Sequence, residues 1–214
     1  MRISPARGTV SRTVHAIAGT VRRPRSGRQS AVRRIALACA MLILAAGCAP
    51  EYNWREIRAE PQGFRVMLPG KPATMTRRID LDGMPVEMSM HGAKVRDTSF
   101  TVAMAGLSDA SGATGARAMA AMRAAMTRNI QGRELASGMT QVELVDASGA
   151  ARGIVPALWI EVAGMMRERP ASMLARFSVL GDRAYQWVVL GYEIDREQAL
   201  TFLDSLKLMQ PAAR

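Results

Sequence analysis

Val86-Glu87-Met88-Ser89-Met90-His91 and, further along the chain, Phe100-Thr101-Val102-Ala103-Met104 alternate larger apolar side chains with polar or small ones. Successive side chains of a β-strand point to opposite faces, so a period of two places Val86, Met88 and Met90 on one face. Both stretches are therefore predicted strands, each with one buried face.

The residues before this pair predict further antiparallel strands. Asp82-Gly83 lies between residues 77–81 and the strand that begins near Pro85, and glycine supplies the positive φ that a tight hairpin turn requires. Residues 64–68 also alternate before Pro69-Gly70-Lys71-Pro72 interrupts the pattern. We therefore expect four strands before the first helix.

A change to helical spacing predicts two amphipathic helices. The first begins near Thr114 and ends at Gln131-Gly132, and its apolar residues recur at intervals of three and four: Met119, Met122, Met126 and Ile130. The second has Asp195 as its N-cap and Gln198 as the reciprocal partner, with an apolar face made of Ala199, Phe202, Leu203 and Leu206. Strand character returns between the helices at residues 140–145, 157–163, 172–180 and 185–192.

This order of elements predicts an α+β domain. Short turns between neighbouring strands favour a mainly antiparallel sheet of about six to eight strands, and the two amphipathic helices must cover it. We assign residues 61–210 to this single domain and residues 48–60 to a tether before it.

Three segments of the domain resemble a known fold. Residues 64–72 (FRVMLPGKP), 181–185 (GDRAY) and 202–208 (FLDSLKL) are similar to those of the PsbP-like α/β/α sandwich and of uncharacterised bacterial lipoproteins of that type. The resemblance implies a central antiparallel sheet with a helix on each side. It implies a binding or assembly module and transfers no catalytic residue, since a fold does not fix a function.

Residues 1–47 have the organisation of an export signal. Val32-Arg33-Arg34 is a short basic region, residues 35–46 form an uninterrupted apolar run, and Ala45-Ala46-Gly47-Cys48 closes it with small residues. The apolar run is shorter than the roughly 20 residues of a membrane-spanning helix, although such a helix is the alternative interpretation. Val32 is a plausible alternative start of translation, which would leave residues 1–31 untranslated.

Ala45-Ala46-Gly47-Cys48 resembles the bacterial lipobox. The resemblance implies cleavage before Cys48 and lipidation of its thiol and new amino group, which would supply the several apolar chains that stable membrane attachment needs. The predicted protein is thus anchored in the cell envelope and faces the periplasm. Ala49 stands where the retention rule of enteric bacteria requires Asp, which favours the outer membrane over the inner one.

The net charge argues against a nucleic-acid partner once it is divided along the chain. The whole sequence has 29 Lys and Arg against 18 Asp and Glu. Nine of the arginines precede Cys48, where there is no acidic residue, so the rest of the chain is nearly neutral. A nucleic-acid surface requires clustered basic residues, which the chain after Cys48 lacks.

The residues after Cys48 offer only weak metal or catalytic candidates. Met88, Met90 and His91 combine thioethers with an imidazole, a set that suits Cu(I), but Met88 and Met90 are also at core spacing and His91 points to the other face. His91 is the only histidine after Cys48, and no nucleophile motif accompanies it. The sequence thus predicts no enzyme and no cofactor.

One alternative function remains open from the sequence. Glu161 lies within an apolar strand, and Arg176 and Tyr185 lie on the strands that follow. If the three converged in a deep pocket, they would form a small-ligand site or an unrecognised active site. A filled interface between sheet and helix would instead favour a binding module.

Overall fold

The computed structural model describes residues 51–210, and these form a sheet of ten strands with two helices. The helices are α1 (Gly112–Asn129) and α2 (Arg196–Ser205), and a single 3-10 turn spans Glu60–Gln62. The strands are β1 (Arg55–Ala59), β2 (Phe64–Leu68), β3 (Ala73–Asp80), β4 (Pro85–Val95), β5 (Thr98–Gly106), β6 (Arg133–Val145), β7 (Ala151–Met166), β8 (Arg169–Leu180), β9 (Arg183–Gly191) and β10 (Lys207–Met209).

The sheet is mixed, and its order is β1-β2-β10-β6-β7-β8-β9-β5-β4-β3. All neighbouring strands are antiparallel except β10 and β6, which run parallel with Leu208 opposite Leu144. The hairpin predicted around Asp82-Gly83 is confirmed, because β3 pairs with β4 and both turn residues have positive φ. Strand β1 begins at Arg55, so the sheet starts within the segment that the sequence assigns to the tether.

The sheet curls until side chains of distant strands touch. Phe64 on β2 meets His91 on β4 edge to face, with 5.4 Å between the ring centroids, although six strands separate β2 from β4 in the sheet. We call the face that carries these two side chains the inner face and the opposite one the outer face. The curl lets strands of the sheet bury one another's inner side chains, as in half of a barrel.

Each face has its own apolar core, and one helix packs on each. Strand β9 shows the division most clearly, because Tyr185 and Trp187 belong to the inner core while Ala184 and Val188 belong to the outer core. Helix α2 contributes Ala199, Phe202 and Leu203 to the inner core, and Leu206 joins them directly after the helix ends. Helix α1 contributes Ala118 and Met122 to the outer core.

The prediction of a six-to-eight-strand sheet covered by two helices, as an α/β/α sandwich, is wrong. Two strands that the sequence pattern missed, β1 and the three-residue β10, widen the sheet to ten. Helices of 18 and 10 residues are too short to cover it. Strand β3 and the first half of β6 remain mostly exposed, and much of the inner face is buried by the curl of the sheet itself.

The predicted cap of the second helix is partly confirmed, and the structure adds a cap for the first. Ser111 caps α1 by accepting from the backbone N–H of Thr114, and Asp195 caps α2 by accepting from the N–H groups of Glu197 and Gln198 at 3.0 and 3.2 Å. The side chain of Gln198 does not complete the reciprocal cap, because its Oε1 accepts from Nε1 of Trp54 at 3.2 Å. This bond holds the segment before β1 against α2.

Candidate functional site

A cleft on the inner face brings together two of the residues suspected from the sequence. Strand β7 supplies Trp159 and Glu161, and β8 supplies Arg176, which lies directly across from Trp159. The first turns of α2 form the other wall, where Leu200 is 39% exposed. The cleft has a volume of about 260 Å³, and we call it the inner cleft.

The charged groups of the inner cleft are already paired with one another. Both carboxylate oxygens of Glu161 accept hydrogen bonds from Arg196, at 3.0 and 3.1 Å. Arg176 donates to Asp204 at 2.6 Å and to the carbonyl oxygen of Leu203 at 3.0 Å. Because both carboxylate oxygens of Glu161 accept from a guanidinium, neither is free to take a proton from a bound molecule, and Glu161 is poorly placed to act as a general base.

Tyr185 does not join the cleft. Its ring is 1% exposed in the inner core, and its hydroxyl donates to the carbonyl oxygen of Gln62 at 3.0 Å. Burial raises the pKa of Tyr185 above its usual value, so the phenol stays protonated at neutral pH. Glu161, Arg176 and Tyr185, the three candidate site residues, therefore do not converge. The inner cleft instead exposes Trp159 between the Glu161–Arg196 and Arg176–Asp204 ion pairs.

The candidate copper ligands lie on opposite faces of β4. Met88 is 5% exposed in the outer core, and Met90 packs against the same core. His91 projects to the inner face against Phe64, and burial lowers its pKa below the usual value, which keeps the imidazole neutral. Within residues 51–210, no cluster of three or more His, Cys, Asp or Glu side chains is arranged to hold a metal ion.

The outer face carries an apolar surface that the sequence pattern did not reveal. We call four apolar residues of β6 and β7 on that face the outer patch: Met139, Ile154, Pro156 and Leu158. The first three are exposed, while Leu158 is partly buried against the outer core. Met139 is 67% exposed and Ile154 is 60% exposed. A groove of about 450 Å³ between α1 and Leu158, lined by Met119 among others, continues the patch.

The outer patch is not predicted because Met139, Ile154 and Pro156 lie outside the predicted strands, which begin at residues 140 and 157. On β7, apolar side chains occur on both faces, so the pattern alone does not show which face is left open. A signal that indicates the patch is the period-two spacing of Ile154, Pro156 and Leu158, which extends the strand toward its N-terminal end with apolar residues on one face. Isolated exposed apolar residues are common, but neighbouring ones on a single face are typical of contact surfaces.

The predicted lipidation site, Cys48, lies outside the described residues, as do the export segment and the first residues of the tether. Neither α1 nor α2 combines the length and the hydropathy that would let a helix cross a membrane.

Comparisons with known proteins do not assign the chain to a family. No protein-family model matches the chain, and no curated protein is significantly similar to it. The chain is similar to the crystal structure of PA94 from Pseudomonas aeruginosa, a protein of unknown function, with 13% identity and a TM-score of 0.33. The match covers 69% of this chain and 94% of that one. So low a score carries no argument about this protein's family or activity.

Proposed function

We propose that this protein is a periplasm-facing lipoprotein, anchored by lipid on Cys48, whose domain is a non-enzymatic binding or assembly module of the cell envelope. The observation that carries the proposal is the sequence Ala45-Ala46-Gly47-Cys48 at the end of an apolar run, a few residues before the first strand of the domain. The Ala at position 49 favours the outer membrane.

Two features of the described residues support a binding role over a catalytic one. The ion pairs of the inner cleft leave no carboxylate or imidazole positioned for proton transfer there. The outer patch exposes Met139 and Ile154 on one face, four residues apart in the strand register, and the groove along α1 continues the patch at Leu158. Such a surface suits contact with another protein. We assign the partner to the class of envelope proteins that present an apolar surface.

The anchor is tested by replacing Cys48 with serine in the full chain. In the wild type we expect a membrane-bound species whose intact mass begins at Cys48 and includes acyl chains. The Cys48→Ser variant should lack this mass and keep its N-terminal segment, because a hydroxyl does not replace the thiol that accepts the lipid. Mass spectrometry of membrane and soluble fractions measures both. A wild-type chain that retains residues 1–47 and carries no lipid would contradict the anchor.

The binding surface is tested by photocrosslinking in intact cells. A photoreactive amino acid at Met139 should give a defined adduct, because this side chain projects from the outer patch. The same amino acid at Ala147, in the exposed turn of the same hairpin, is the matched control and should give none. Adducts are detected by their mass shift on gels. Equal labelling at both positions, or none at either, would contradict a partner on the outer patch.

A further inference from the structure

One end of the sheet gathers the beginning of the described chain and several of the connections between elements. The register places Ser99 of β5 opposite Leu190 of β9, and Ser172 of β8 opposite Gly191 of β9. The β4–β5 turn, the β7–β8 turn and the connection from β9 to α2 therefore lie at one end, together with the start of β1. We call it the near end. The β6–β7 and β8–β9 turns form the opposite, far end.

The residues before β1 are held tightly to the near end. Glu51 pairs with Arg96 of the β4–β5 turn at 2.6 Å, and the backbone N–H of Asn53 donates to the carbonyl oxygen of Pro69 at 3.1 Å. The indole of Trp54 meets the ring of Phe100 edge to face at 6.2 Å. Because these contacts fix residues 51–54 on the domain, these residues add no length to a linker between the domain and an anchor that precedes it.

The covalent chain then limits how far the near end can stand from an anchor on Cys48. Glu51 is the third residue after Cys48, and a fully extended chain spans at most about 3.5 Å per residue, or roughly 10 Å in all. Acyl chains on Cys48 would hold this residue at the level of the lipid headgroups. We infer, on the basis of the proposed lipidation, that the near end rests against the bilayer surface and the far end points away from it.

The side chains of the near end suit a headgroup layer. A cleft of about 440 Å³ opens there between Tyr52, Tyr192 and Arg169. The guanidinium carbon of Arg169 lies 3.9 Å above the centre of the Tyr192 ring. Amphipathic aromatic rings and arginines are typical of the zone where protein meets lipid headgroups.

The charges of this cleft indicate whether anionic lipids would attract it to the bilayer. Arg96 and Arg169 are its cations, and its carboxylates are Glu51, Asp97, Glu193 and Asp195. Because the cations do not outnumber the carboxylates, an anionic bilayer gains no net attraction to the cleft. The lipid on Cys48 should therefore hold the domain to the surface, and the short tether should set its orientation, with no requirement for anionic lipid.

Single-cysteine variants can measure this orientation, because Cys48 is the only cysteine from that position onward. Asp97→Cys places a fluorophore in the β4–β5 turn, and Ala147→Cys, its matched control, places one in the β6–β7 turn. The 13 residues of β6 rise about 3.3 Å each, so the two ends lie about 40 Å apart. The lipidated full-length variants are reconstituted into phosphatidylcholine vesicles that contain a headgroup nitroxide quencher.

We expect the fluorophore at position 97 to be quenched several-fold more strongly than that at 147, with no change when phosphatidylglycerol is added. Equal quenching on protein that floats with the vesicles would overturn the orientation and leave the anchor standing. Stronger quenching at position 147 would also overturn it. Protein that carries no lipid and does not float would overturn the proposed anchor, and the orientation with it.

Discussion

Replacing Trp187 with alanine is expected to lower the free energy of unfolding by about 3–5 kcal/mol. The indole is fully buried in the inner core, and its Nε1 donates to the carbonyl oxygen of Leu203 on α2 at 3.0 Å. Alanine removes the largest side chain at the junction of β9 and α2 and leaves a cavity there. Because domains are stable by only about 5–15 kcal/mol, this loss is a large fraction of the total. Urea unfolding followed by circular dichroism measures it.

Trp187→Phe separates packing from hydrogen bonding. Phenylalanine keeps most of the buried volume but loses the donor, and Arg176 still donates to the same Leu203 oxygen at 3.0 Å. The remaining donor should limit the loss to about 1–2 kcal/mol. Trp159→Ala is the matched control for tryptophan removal, because Trp159 is partly exposed in the inner cleft, and its loss should be smaller, about 1–2 kcal/mol. Equal losses for Trp187→Ala and Trp159→Ala would show that Trp187 does not lie in a closed core.

The local elements could be predicted because their signals are local. The alternation at Val86, Met88 and Met90 reports one strand, Asp82-Gly83 reports one turn, and Asp195 reports one cap, and the structure confirms each. The first helix was predicted from near Thr114 and begins at Gly112. In each case the interactions that decide the conformation lie within a few residues of one another.

The breadth and curl of the sheet could not be predicted because they depend on distant partners. Strand β10 has three residues and forms only between β2 and β6, which lie far apart in sequence. Nothing in its own pattern requires a strand. The contact of Phe64 with His91 likewise depends on the accumulated twist of the strands between them.

In the candidate site, too, local features could be predicted from the sequence and contacts between distant elements could not. The sequence places Glu161 on β7 and Arg176 on the next strand, and the structure brings both to the inner cleft. Their ion-pair partners, Arg196 and Asp204, lie on α2 and are set by tertiary packing. The ion pairs that Glu161 and Arg176 form therefore could not be predicted from a sequence pattern.

Gly164→Ala is expected to lower the free energy of unfolding by about 3 kcal/mol, through a clash between backbones. A Cβ at Gly164 of β7 would lie 2.3 Å from the carbonyl oxygen of Ile130 and 2.8 Å from the Cα of Gly132. Neither atom is the end of a flexible side chain, so the segment after α1 must move away from β7. That shift would also disturb the 2.6 Å hydrogen bond from the backbone N–H of Met165 to Ile130. Overpacking of this kind typically costs about 1–3 kcal/mol, and a backbone contact belongs at the upper end.

Gly106→Ala is the matched control for this substitution. Gly106 ends β5, is exposed, and has no atom within 4 Å of an added Cβ, so alanine there should change stability by less than about 1 kcal/mol. Urea midpoints compare the two variants, and hydrogen exchange at the Met165 amide reports the local bond directly. Gly164→Ala should speed that exchange, while Gly106→Ala should leave it unchanged. If both variants kept wild-type stability and protection, the close approach of β7 to the end of α1 would be refuted, because two backbones that touch there cannot accept a methyl group without moving.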